Sequence, residues 1–186
     1  MATLTSRIKC TVAAFAVAFS VTGPVAAQQT DLDGLFQELF EADEMTHERV
    51  ADRILRRFEQ TGSPAMDLLL RRGSEAAEEG DYDIAIEHLT ALIDHAPDFA
   101  EGYHSRASAY FSIGLVGPAL DDLRQTLVLN PRHFEAMFGV GIMLEELGRD
   151  DEAIAAYQAI QEIYPLEPNA AAALERLDLK LQGQAI

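Results

Sequence analysis

The chain has no tryptophan and a single cysteine among its 186 residues. That cysteine, Cys10, follows Arg7, Ile8 and Lys9 instead of the leucine and small residues that precede a lipidated cysteine. A lipid anchor is therefore not expected. Beyond Cys10 there is no thiol, which removes both a disulfide framework and thiol catalysis and leaves stability to packing. Positive charge is scarce too: 14 lysines and arginines stand against 31 acidic residues, for a net charge of −17. A phosphate-binding surface needs a basic stripe that displaces counterions. The densest basic stretches here are the isolated pairs Arg56-Arg57 and Arg71-Arg72, so nucleic acid is not an expected partner. So much acid reads first as a soluble, self-repelling surface and second as an acidic site for a basic partner.

Signatures of chemistry are also missing. None of the five histidines, His47, His88, His95, His104 and His133, stands in a metal-ligand spacing, and His47-Glu48 lacks the second histidine of a zinc-binding helix. No serine occupies a Gly-x-Ser-x-Gly elbow, and there is no glycine-rich phosphate loop. Ser63 and Ser74 read as cap or helix-surface residues. Carboxylates are too abundant for any pair to be singled out as an acid/base dyad. The expectation is no enzyme, no cofactor and no metal.

What is present begins with Arg7 and Lys9 ahead of an apolar run from Cys10 to Val21, followed by the small residues Val25, Ala26 and Ala27. That order is the grammar of a secretory leader, with cleavage expected after Ala27. Broken by Gly23 and Pro24, the run is shorter than the ~20 apolar residues a retained span needs. No stable membrane anchor is expected after cleavage, and the mature chain is expected to be periplasmic or secreted. Removing Arg7 and Lys9 makes it two charges more negative.

Beyond the leader, one period dominates. Pro97, Pro131 and Pro165 are 34 residues apart, as are Gly80, Gly114 and Gly148, and Ala85, Ala119 and Ala153. Leu89, Leu123 and Tyr157 keep the same step, and Gly73, Ala107 and Gly141 form a fifth set. This grammar, with Glu79-Gly80-Asp81-Tyr82-Asp83-Ile84-Ala85-Ile86 at a turn and Leu129-Asn130-Pro131-Arg132-His133-Phe134-Glu135-Ala136 between units, resembles the tetratricopeptide-repeat family, whose unit is a helix–turn–helix. The resemblance covers about Ala65 to Pro165. The family's usual first-helix tryptophan is replaced by Leu69, Tyr103 and Met137.

The physics agrees. Small residues on the first helix are expected to face small residues on the second and allow close approach. Gly80, Gly114 and Gly148 can close the first helix in the left-handed region without a Cβ penalty. Pro97, Pro131 and Pro165 fall where the second helix has ended. Asp98 with Glu101 reads as an acidic capping box. Gly117-Pro118 departs from the pattern and predicts a looser turn, with Pro118 in the first turn of its helix.

Two helices are expected before the repeats. Leu32, Leu35, Phe36, Leu39 and Phe40 form one apolar stripe. Thr46 is placed to cap a second helix carrying Val50, Ile54, Leu55 and Phe58, with Met45 and Val50 as a hydrophobic staple. Ser63 and Pro64 start the first repeat, and Leu166 to Leu181, with Leu174, Leu177 and Leu181, reads as a terminal helix. Outer repeats need such flanks because they otherwise expose an apolar face. The expected organisation is a leader over 1–27, N-terminal helices over 28–64, repeats over 65–98, 99–132 and 133–166, and a capping helix over 167–186. About nine helices and no sheet follow, an all-α, right-handed superhelical solenoid of antiparallel helix pairs.

The resemblance implies a concave groove lined by the first helix of each unit. Carried over position by position, its lining is Asp67, Leu70, Ser74 and Glu78; then Glu101, His104, Ser108, Phe111 and Ser112; then Glu135, Phe138, Ile142, Glu145 and Glu146. Leu70, Phe138 and Ile142 serve equally well as contacts to flanking helices, whereas His104 and Phe111 sit in the central unit. Some family members hold a partner's C-terminal carboxylate with lysine and asparagine, but this lining offers glutamate and serine. The implied function is a periplasmic interaction module, a scaffold or assembly factor, taking a basic or partly apolar segment of another protein. Alternatives are a maturation helper for exported proteins such as c-type cytochromes, and a small-ligand binder or enzyme.

Overall fold

The computed structural model describes residues 24–184. These form α1 (Pro24–Phe40), α2 (His47–Phe58), α3 (Pro64–Glu78), α4 (Tyr82–His95), α5 (Ala100–Ser112), α6 (Val116–Leu129), α7 (Phe134–Glu146), α8 (Asp150–Ile163) and α9 (Pro168–Gln184), with no strand among the described residues. The expected leader lies outside the described residues except for its last turn, which opens α1. No described helix is long and apolar enough to cross a membrane.

Three helix pairs, α3/α4, α5/α6 and α7/α8, stack in order, and α9 packs on α8. Each first helix ends the same way. Gly80, Gly114 and Gly148 have φ of 85°, 78° and 70°. Their amide N–H groups donate to Ala77, Phe111 and Glu145, while those of Asp81, Leu115 and Arg149 donate to Ala76, Tyr110 and Leu144 at 2.8–2.9 Å. These paired bonds satisfy carbonyls that the helix leaves open and reverse the chain at a fixed angle. Pro118 sits in the first turn of α6, which has the same 14 residues as α4 and α8, so the unit is not loosened there.

Packing inside the pairs departs from the small-on-small expectation. Ala85, Ala119 and Ala153 are fully buried, but the space beside Gly73 is filled by Leu89 and that beside Gly141 by the Tyr157 ring. A Cβ on Gly141 would stand 2.4 Å from Tyr157 Cε1. Glycine thus makes room for a large side chain from the second helix, which buries more apolar area than two alanines would.

The flanks also differ in detail. Leu35, Phe36 and Leu39 are buried, whereas Phe40, the last of the expected stripe, is 55% exposed. Met45 is 91% exposed and makes no staple with Val50. Thr46 turns its hydroxyl to Asp43 instead of capping α2. Near α5 the boundary residue is Phe99, and Glu101 serves the side-chain cluster described below instead of a capping box. In α9, Leu177 is fully buried while Leu181 is 36% exposed, so the helix fits its neighbour along its first turns.

The N-terminal pair decides the shape of the site. Helices α1 and α2 fold back past the first two repeats, and Leu35, Phe36, Leu39, Val50, Ile54 and Phe58 share one core with Phe134, Tyr157, Tyr164 and Leu177. Polar contacts hold them there: His47 Nδ1 meets the Tyr164 hydroxyl at 2.6 Å, and Arg132 donates to Asp33 at 2.6 Å with its guanidinium 4.3 Å from the Phe36 ring centre.

Candidate peptide-binding groove

The first helices line a furrow with separate hollows between successive repeats. Between α3 and α5 lies a polar cavity of about 350 Å³ bounded by Asp67, Leu70, Ser74, Glu101 and Ser105, with Glu59 and Arg71 at its edge. Leu70 is buried in the core of the first repeat. Asp67 accepts from the Thr61 amide and hydroxyl at 3.1 and 2.6 Å, so it is already engaged within the chain.

Between α5 and α7 a cavity of about 250 Å³ is lined by His104, Ser108, Phe111, Phe138 and Ile142, together with Ser112 and Glu135. Five of the nine groove residues chosen from the sequence thus share one wall. Ser108 and Ser112 donate to carbonyls one turn back in their own helix, at 3.2 and 2.9 Å, which leaves the surface here mostly apolar. His104, Glu135 and Phe138 also border a larger cavity, about 540 Å³, where α2 supplies the opposite wall with Glu48, Ala51, Asp52 and Leu55. Its floor is Phe134, Phe138 and Tyr164, and its rim carries four carboxylates, Glu48, Asp52, Glu135 and Glu167. No lysine or arginine lines it.

Electrostatics follow from that crowding. Glu135 and Glu59 are exposed as residues, but the protein close to their carboxyl groups displaces part of their solvent and, with the Glu101 charge beside both, pushes each above its ordinary value. A cation brought into this rim relieves repulsion as well as gaining attraction.

Beneath the rim lies a polar cluster. Glu101 is 9% exposed, His104 Nδ1 is 3.0 Å from its Oε1, and the fully buried His133 places Nε2 3.0 Å from its Oε2. Burial works to raise the Glu101 pKa, but hydrogen bonds from the two histidines overcome it and hold it at about 2. Burial also acts to lower His104, and its bond to Glu101 outweighs that, so His104 is raised; in His133 burial wins and the pKa falls. The imidazole rings lie 4.4 Å apart, and His133 packs on Phe58 of α2 at 4.7 Å.

Glu145 is placed elsewhere. It accepts from the Tyr157 hydroxyl at 2.7 Å and from Arg176 at 2.6 Å, tying α7 to α8 and α9, and it lines none of these three cavities. Three features were absent from the sequence reading: the α2 wall, the aromatic floor at Phe134 and Tyr164, and the union of Glu101, His104 and His133. The last has a signal in the repeat register. Glu101 and His104 are one turn apart, and His133 is the boundary residue before the next first helix, which a 34-residue stack sets beside the start of α5.

A tetratricopeptide-repeat family model matches residues 70–117 and 106–168. A TPR repeat-containing protein of Rhizobium etli is 31% identical over 82% of this chain and 75% of its own length. The small glutamine-rich tetratricopeptide repeat-containing protein 2 of Mycosarcoma maydis is 31% identical over 63% of this chain, which spans 34% of that protein. Among solved structures, the first TPR of Spaghetti (RPAP3) bound to the HSP90 peptide SRMEEVD has a TM-score of 0.60 at 26% identity, covering 63% of this chain and 93% of that one. The family match spans the three stacked helix pairs and their glycine-closed turns, and with it the chain belongs to the tetratricopeptide-repeat family.

Proposed function

We propose that this protein is an exported protein-interaction module whose groove, between α2, α5 and α7, takes a basic, partly apolar segment of another protein. One observation carries the reading: the 540 Å³ cavity sets four carboxylates around an aromatic floor with no lysine or arginine in its lining and His104 as its one imidazole. Aromatic faces attract cations, more strongly when water is displaced. The carboxylates speed encounter and select sign, while the apolar floor supplies most of the affinity. The Spaghetti (RPAP3) structure holds the peptide SRMEEVD, whose glutamates and aspartate would meet repulsion at this rim. The fold is shared and the ligand charge is reversed. Export is inferred from the basic start and apolar run between Arg7 and Ala27, and the role that goes with this reading is a scaffold or assembly factor in the envelope.

The test is photo-crosslinking from Phe138 in the native envelope, followed by binding assays with the captured segment. A reproducible partner is expected, and it should crosslink through a stretch bearing arginine or lysine beside apolar residues. Reversal of two rim charges, Glu48→Lys with Glu135→Lys, should slow association and flatten its salt dependence. An acidic partner segment, or one that binds the reversed rim equally well, would overturn the reading.

A further inference from the structure

We propose that Glu101, His104 and His133 form a binding site for a single divalent cation of the zinc type beneath the groove. One donor atom from each residue lies within 4.8 Å of the other two. Each imidazole nitrogen stands 3.0 Å from one oxygen of the same carboxylate, His104 Nδ1 from Oε1 and His133 Nε2 from Oε2. Four-coordinate zinc, with bonds of roughly 2.0–2.1 Å, separates neighbouring donors by about 3.3 Å, so either oxygen already has one imidazole near that spacing and the second donor closes in from within 4.8 Å. Two imidazoles and a carboxylate suit a borderline ion such as Zn²⁺, whereas Mg²⁺ and Ca²⁺ favour shells of oxygen alone.

Charge around the cluster points the same way. Glu59 and Glu135 both feel the Glu101 carboxylate, and neither forms an ion pair with a lysine or arginine among the described residues. Arg56 acts on Glu59 only at longer range, and His104 is the positive group that faces Glu135. Three carboxylates against two imidazoles leave an excess of negative charge that a dication offsets. The framework is already ordered, because the buried His133 ring is held between Phe58 and His104.

His133 sets the condition for binding. Its Nδ1 accepts the Ala136 amide N–H at 3.3 Å, so in the metal-free state its proton sits on Nε2 and is donated to Glu101. A cation takes the Nε2 lone pair once that single ring proton has moved from Nε2 to Nδ1. The Ala136 N–H then loses its acceptor. One cap bond is small against three metal–ligand bonds, and the exchange gives binding a signature at a residue that touches no metal. Three protein ligands leave a fourth position for water or an incoming donor. His104 lines the 540 and 250 Å³ cavities and Glu101 the 350 Å³ one, so the cluster is reached from the groove on both sides of α5. The site stands whichever segment occupies the groove.

The experiment uses the full chain, without a polyhistidine tag, stripped with chelator and titrated with Co²⁺ and then Zn²⁺. One equivalent of Co²⁺ should bind, with visible absorption bands of low coordination number that Zn²⁺ abolishes. His104→Gln should weaken uptake by more than the roughly 10–100-fold that loss of a second-shell partner costs, with helix content unchanged. In the native chain, nuclear magnetic resonance should show the His133 ring nitrogens and the Ala136 amide among the groups most shifted by Zn²⁺, which keeps the proposal testable if the variant fails to fold. Absence of stoichiometric uptake overturns it. So does uptake unchanged in His104→Gln, or a Zn²⁺ titration that leaves His133 and Ala136 in place, either of which would show the cluster to be a hydrogen-bonded network only.

Discussion

The two stretches of the groove are built from the same repeat but are not equivalent. Between α3 and α5 the lining is polar, and its Asp67 is engaged by Thr61. Between α5 and α7 the lining is apolar, is roofed on one side by α2, and opens into a cavity rimmed by acid. Helices α1 and α2 account for the difference, because they pack on the third repeat and α9 and leave the first repeat uncovered. A repeat array distributes stability along its length, whereas a flanking element can concentrate a binding site at one end.

The contrast is open to direct attack through the close-packed glycines. Gly141 faces the Tyr157 ring, which is tied by its hydroxyl to Glu145 and packed 5.4 Å from Phe138, whereas Gly73 faces the aliphatic Leu89. Gly141→Ala should therefore cost about 3 kcal/mol, and Gly73→Ala about 1–2 kcal/mol, because a leucine has more freedom to repack than an anchored ring. Denaturant unfolding measures both, and equal losses would show that the C-terminal half is no more tightly specified than the N-terminal half.

Binding should divide in the same way. Phe111→Ala should weaken the captured segment by on the order of 1–3 kcal/mol, the range of a buried anchor, while Ser74→Ala in the polar stretch should stay within about 0.5 kcal/mol. Titration calorimetry of the two variants decides it. A larger loss from Ser74 would move the site to the other end of the groove.

The last contrast concerns acid. The Glu101 carboxyl is held at about 2 against an ordinary 4.5, so its contribution to stability is complete above the higher value and is lost as pH falls toward the lower one. Chelator-treated protein should lose stability across that window, and Glu101→Gln should lose less over the same interval even though it starts lower. Parallel pH profiles for the two chains would show that the histidine bonds add nothing to folding.

Much of the fold was legible in the sequence. The 34-residue step located the three helix pairs and, in Gly80, Gly114 and Gly148, the residues that take positive φ at the turn inside each pair, whereas Gly62, which also takes positive φ, lies outside the repeat and was not singled out. The same register put five of the groove residues on one cavity between α5 and α7. Local chemistry was less legible: Thr46 and Glu101 have the residue types of caps, yet each found a different partner nearby. Glu145 holds the position of a groove carboxylate in its unit, and the structure engages it with Tyr157 and Arg176, partners on α8 and α9 that the repeat register does not announce.

Sequence alone determined the repeat, the helix ends and the excess of negative charge, since each is written in residues that act within one turn or one period of themselves. Only the tertiary structure decided that α2 walls the groove and that His133 joins Glu101 and His104 across 32 residues. Those contacts depend on where two amphipathic helices find uncovered apolar surface, and an apolar stripe records that it must be buried without recording against what.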